Sequence, residues 1–235
     1  MRSGTGLGLV LVVLVATNVW VHLGPRRAHL VTGPLAAGAL LLLGRAAGLT
    51  WGDLGLAPQT MIRGAGYAAI SAAVVGVGYA VAVLLPFTRG WFRDTRYQVG
   101  PASALYLTFV AIPLATVVFE ECAFRGVLWG LLARDFGVRT ATTVSAVLFG
   151  LWHVLPALDL AGTNTAVQGD RAPSRSRLLV TVLATVAFTT VAGLLFAELR
   201  RRSGSLLAPF GLHWATNGMG VLAAAWVWSL SSRRE

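Results

Sequence analysis

Apolar positions along this chain fall into seven long stretches separated by short polar loops. The stretches lie near residues 5–23, 29–49, 64–87, 102–133, 140–160, 178–199 and 205–230. About 30 Å of hydrocarbon needs about 20 helical residues, so each stretch predicts a helix able to cross a bilayer. The fourth is too long for one simple span. At 1.5 Å per residue its 32 residues would extend about 48 Å, and it holds Pro113 and two adjacent glutamates. It is expected to be one kinked, tilted helix or two helical pieces. The fold class that follows is all-α, a polytopic bundle of seven or eight transmembrane helices.

The longest loops are 88–100, with three arginines and Asp94, and 161–177, with Gly, Asn, Pro, Ser and three arginines. Both read as solvated turns. Arg2 followed by the apolar run 7–23 has the outline of a signal peptide, but Gly24-Pro25-Arg26-Arg27 supplies no small-x-small cleavage site. The segment is expected to stay as the first span.

Composition agrees with this reading. The 235 residues are 56% hydrophobic and 12% charged, with mean hydropathy +0.71, which excludes an ordinary soluble domain. All nineteen basic residues are arginine. With so much Ala, Gly, Val and Leu, that bias suggests a GC-rich genome, and the expected location is a bacterial plasma membrane. The net charge of +10 does not indicate nucleic acid, because the arginines are scattered through short loops and ends. Anionic lipid headgroups account for them. On a seven-helix count, Arg2, Arg45, Arg63, Arg134, Arg139 and Arg200–Arg202 fall on one side of the membrane. Arg26, Arg27, Arg89, Arg93, Arg96, Arg171, Arg175, Arg177, Arg233 and Arg234 fall on the other, so orientation is undecided. A single cysteine, Cys122, excludes an intrachain disulfide and a thiolate metal cluster.

Against this background six polar residues stand out: Glu120, Glu121, Arg125, His153, His213 and Asn217, all within apolar segments. A carboxylate in the bilayer costs about 2.5–3.5 kcal/mol even on insertion scales, so such residues usually have work to do. Glu121 and Arg125 are four apart on one helix face, in the favourable acid-before-base order, and predict an ion pair. Glu120 lies about 100° round the helix and is left to face a cavity. A carboxylate without a full ion-pair partner in such a place suits a general acid or base. Phe149 and His153 form another i,i+4 pair, and His213 and Asn217 a third. A lone intramembrane histidine is more often a hydrogen-bonder between helices than a catalyst; two in matched settings change that balance. His22 and His29, at the membrane edge, need no special role. Asp53 and Asp159 are expected at helix ends, Glu198 in a salt bridge near Arg200–Arg202, and Cys122 in packing. Trp20, Trp51, Trp91, Trp226 and Trp228 fit an interfacial belt. Trp152 and Trp214, beside the two histidines, are placed equally well in a cavity wall or against lipid.

Glu120-Glu121-Cys-Ala-Phe-Arg125, Phe149-Gly-Leu-Trp-His153 and His213-Trp-Ala-Thr-Asn217 occur in that order on three apolar helices. Here the sequence resembles the CAAX-protease and bacteriocin-processing family of intramembrane proteases, best known for the type II CAAX prenyl endopeptidases. The likeness covers about residues 100–230. It implies a catalytic membrane core over 100–232, preceded by variable helices over 1–99. It also implies hydrolysis of peptide bonds in membrane-associated proteins or peptides. On that likeness Glu120 and His153 activate a water, His213 and Asn217 stabilise the oxyanion, and Glu121, Arg125 and Phe149 support them. No cofactor is expected, yet the alternative of a zinc ion held by Glu120, His153 and His213 stays open. The expected partners are a peptide or membrane-protein substrate and the lipid bilayer, with no nucleic acid. A bacterial host would generally lack prenylated CAAX proteins, so a bacteriocin-like precursor or a membrane-protein tail fits better. A transporter would use similar intramembrane residues, but the chain has no duplicated halves or matched broken helices. A non-catalytic adaptor on the same scaffold is the third alternative.

Overall fold

A computed structural model describes residues 3–25, 28–164 and 174–231. Arg2, Arg26, Arg27, Arg233, Arg234 and loop residues 165–173, Arg171 included, lie outside the described residues. Three helices come first: α1 (Ser3–Leu23), α2 (His29–Ala46) and α3 (Pro58–Leu84), the last begun by a proline whose missing N–H costs nothing at a helix start. The next helical run opens with α4 (Pro101–Tyr106) and passes through π-helical turns Leu107–Ala111 and Pro113–Val117. It continues as α5 (Val118–Glu121), a π-helical segment Cys122–Leu128, and α6 (Trp129–Trp152). Then follow α7 (Val154–Thr163), α8 (Arg175–Ser203) and α9 (Leu207–Trp214). A π-helical turn Ala215–Met219 leads into α10 (Gly220–Ser231). The described residues form no strand beyond an isolated bridge between Asp94 and Asn164. The protein is an all-α membrane bundle; among the described residues, five helical stretches are long and apolar enough to cross a membrane.

The expected fourth helix continues to residue 136 and stops at Gly137, whose φ of 83° and ψ of 162° leave the helical region. Only glycine takes such a backbone without strain. The chain reverses there. Trp129 Nε1 donates to Thr142 Oγ1 at 3.3 Å, Ser145 Oγ to the Phe124 carbonyl at 2.7 Å, and Trp152 Nε1 to Glu120 Oε1 at 3.1 Å. Those pairs step evenly outward from Gly137, so the two arms are antiparallel. This hairpin brings the glutamates of one arm to the histidine of the other. The second arm lies close against α8: a Cβ on Gly150 would come within 2.0 Å of Thr190 Oγ1, so no larger residue fits without a shift.

Inside lipid, a backbone carbonyl released by a wide π-turn needs a donor from elsewhere. Side chains on neighbouring helices provide it. Tyr79 O–H donates to the Thr216 carbonyl at 2.7 Å, Thr108 Oγ1 to Gly218 at 3.0 Å, and Trp214 Nε1 to Thr108 at 2.9 Å. The Ser145–Phe124 bond does the same for the segment after the glutamates.

One apolar cluster joins Val10, Leu14, Leu40, Leu49 and Leu54 to Phe119, Phe124, Leu128, Phe149 and Phe196. The first two helices and the turn after them therefore share their core with the arms that carry the motifs. At one end of the bundle Glu198 pairs with Arg201 and Arg202. Arg200, expected beside them at the headgroups, instead turns inward. Its Nη2 donates to the carbonyls of Gly52 and Asp53 at 3.0 and 2.8 Å, and the guanidinium lies 5.2 Å from the Trp129 ring. The tight turn 50–55 exposes carbonyls that need a donor, and a buried arginine meets two of them.

Ser145→Ala removes the donor from a buried carbonyl without changing shape. It should destabilise the protein by about 0.5–2 kcal/mol in thermal unfolding of the detergent-solubilised chain.

Candidate active site

Glu120 and Glu121 close the short α5 and are 5% and 1% exposed. Arg125, in the following π-helical segment, is fully buried. Its Nη1 donates to Glu121 Oε1 at 3.1 Å, the pair expected from the i,i+4 spacing. A guanidinium has five N–H donors, and here Nε and Nη2 have no hydrogen-bond partner. Aromatic faces take their place. The guanidinium carbon lies 4.0 Å from the Phe149 ring centre, 4.8 Å from Phe196 and 5.8 Å from Phe124. Desolvated contacts of this kind are worth about 2 kcal/mol or more.

Glu121 holds a second partner that spacing does not reveal. His213 Nδ1 lies 2.7 Å from the same Oε1 atom, 92 residues away in sequence. The imidazole stacks on Phe196 (5.1 Å, 24° between planes) and meets Phe149 edge-on (5.7 Å, 90°). Glu121 thus ties the first arm of the hairpin to α9, and does more than neutralise Arg125.

Glu120 has different surroundings. Oε1 accepts the Trp152 indole N–H, while Oε2 is buried without a hydrogen-bond partner, 3.8 Å from His213 Nε2. That gap is too long for a direct hydrogen bond.

His153 is half-buried at the break between α6 and α7, with φ −87° and ψ 7°. Pro156 explains the break. It has no N–H for the Trp152 carbonyl four residues back, and its ring crowds that carbonyl. His153 Nδ1 lies 2.7 Å from the Phe149 carbonyl, which can only accept, so the proton sits on Nδ1 and Nε2 of the neutral ring is an acceptor. The Phe149 ring packs against the imidazole at 4.6 Å. Phe149 therefore touches both histidines and Arg125.

Glu120, His153 and Asn217 line one cavity of about 570 Å³, together with Thr116, Phe188, Thr189 and Arg96. Asn217 is exposed and belongs to the π-helical turn that follows His213. His213, 3% exposed, is buried beside them and is not part of the cavity lining. Arg96 sits at the loop end of the cavity, bound through two nitrogens to Asp94 at 3.0 and 2.7 Å. Among the described residues no three His, Cys, Asp or Glu side chains come together as a metal site. Glu120, His153 and His213 as arranged are not a formed zinc shell, whose ligands would lie about 2.0–2.2 Å from the ion.

Two contributors escaped the sequence. Trp152 was placed equally well against lipid, although a buried indole N–H needs an acceptor and its neighbour was already a candidate. Phe196, an ordinary apolar residue of an apolar helix, carries no signal at all. Chemically, the arrangement offers an unoccupied carboxylate oxygen, an acceptor imidazole and an exposed carboxamide around one cavity.

A family model described as type II CAAX prenyl endopeptidase Rce1-like matches residues 102–219. That segment contains the Glu pair, both histidines and Asn217. Neither a curated protein nor a solved structure matches the chain.

Glu121→Ala should leave a buried, unneutralised Arg125 and an untethered His213. A loss of about 3–5 kcal/mol is expected, read as a lowered melting temperature and poor membrane yield.

Proposed function

The chain belongs to the Rce1-like family of type II CAAX prenyl endopeptidases, and from that membership we propose that it hydrolyses peptide bonds of membrane-associated proteins or peptides within the bilayer. The observation that carries this reading is the pairing of Glu120 and His153 on one cavity wall, with Glu120 Oε2 free of any hydrogen bond and His153 Nε2 left as an acceptor.

A water between those two atoms would lose a proton to Glu120 as it attacks the scissile carbonyl, with His153 accepting its second hydrogen bond and fixing its direction. The carbonyl oxygen becomes the oxyanion of a tetrahedral intermediate. Asn217 can donate to it from its carboxamide. His213 can donate from Nε2 only as an imidazolium, because Nδ1–H is already given to Glu121. Glu121 fixes the orientation of the His213 ring through that contact. Collapse of the intermediate breaks the C–N bond, and the proton held by Glu120 passes to the leaving amine. Each step uses groups of this chain and one water.

The substrate class we propose is an unfolded peptide or protein tail reaching the membrane, such as a bacteriocin-like precursor or a membrane-protein tail. Identifying new termini after incubation with a bacterial membrane proteome is the direct test.

Glu120→Ala, His153→Ala and His213→Ala should each reduce cleavage by at least about 10³-fold while the protein still inserts; cleavage that survives Glu120→Ala would remove the general base. A strong chelator should leave activity intact. Loss on chelation with recovery on adding zinc would instead place an ion between Glu120, His153 and His213.

A further inference from the structure

We propose that Trp152 is a positioning residue for Glu120, and that Asn18 on the first helix holds Trp152 in place. The proposal rests on the hydrolase reading above. It extends the site to a helix outside the matched segment 102–219.

Glu120 has two oxygens with different tasks. Oε1 accepts the Trp152 indole N–H at 3.1 Å, which leaves Oε2 as the atom free to take a proton. The other polar atom nearby is His213 Nε2, 3.8 Å from Oε2. Without the indole the carboxylate would be free to turn toward that imidazole. Trp152 is itself held on two sides. Its ring lies against Phe119 at 5.6 Å and meets Phe124 edge-on at 5.8 Å. Its backbone carbonyl would be orphaned, because the residue four positions on is Pro156, which has no N–H. Asn18 Nδ2 supplies the missing donor at 3.0 Å, across 134 residues of sequence. An asparagine in an otherwise apolar helix is costly in lipid unless its amide is used, and here it is used at the bend that presents His153. The chain of contacts runs from α1 through Asn18, the Trp152 carbonyl and the indole N–H to Glu120.

The test uses the full chain in detergent and a quenched fluorogenic peptide with an apolar C-terminal tail. Trp152→Phe keeps a ring and deletes the N–H. It should lower kcat about 10- to 100-fold, with KM within about twofold and only a modest fall in melting temperature. Trp152→His, which restores an N–H donor, should recover part of that loss. Asn18→Ala leaves the indole intact and should lower kcat about threefold or more, again without a change in KM. Wild-type kcat in Trp152→Phe, or a loss confined to KM, overturns the positioning role alone. If Trp152→Phe fails to insert, Asn18→Ala decides: unchanged kcat overturns the proposal. A wild-type protein that cleaves no peptide overturns the hydrolase reading, and the positioning role with it.

Discussion

A fully buried arginine with a single ion-pair bond is the constraint around which this bundle is built. A guanidinium removed from water is costly unless its charge is met from every side. Glu121 answers from one direction, and the faces of Phe149, Phe196 and Phe124 from the others. Those partners come from both arms of the hairpin and from α8, so meeting the charge fixes how three helical elements sit against one another. His213 enters through Glu121 and Phe196 and brings α9 into the same cluster. Arg125 takes no part in the proposed chemistry, yet the positions of both histidines follow from how it is neutralised.

Glu120 and Glu121 divide their work because they sit about 100° apart on one helix. Glu121 is consumed by structure: one oxygen serves both Arg125 and His213. Each carboxylate has one oxygen without a hydrogen-bond partner, but only Glu120 lines the cavity. An intramembrane carboxylate that lines a cavity is the stronger candidate for a reaction. The same economy holds for the backbone. Of the four π-helical turns among the described residues, three have carbonyls taken up by Tyr79, Thr108, Ser145 and Trp214. Two of these turns directly follow the glutamate pair and His213, the places where wide turns commonly mark function.

Membership of the protease family rests on the segment that carries the motifs, but that segment does not stand alone in space. Val10, Leu14 and Leu40 share its apolar core, and Asn18 caps a carbonyl at its bend. The helices before residue 100 are thus part of the platform that holds the glutamates, whatever latitude their sequences have.

The chain by itself determined the membrane class and the helical fold, and it singled out six polar residues within apolar runs. Long apolar runs have one stable backbone in lipid, and a charge inside them is too costly to be incidental. The Glu121–Arg125 pair was equally legible, because four residues on a helix fix the geometry whatever surrounds it. Three features had no such local rule. That Glu121 also binds His213, that Phe196 stacks on that ring, and that Trp152 donates to Glu120 all depend on the reversal at Gly137 and on the packing of α8 and α9. Gly137 and Pro156 were visible as residues, but their consequences were not: one glycine turned an overlong span into a hairpin, and one proline opened a carbonyl for a distant asparagine. Contacts between helices distant in sequence are chosen by the shapes and charges that meet, and only the folded chain brings those together.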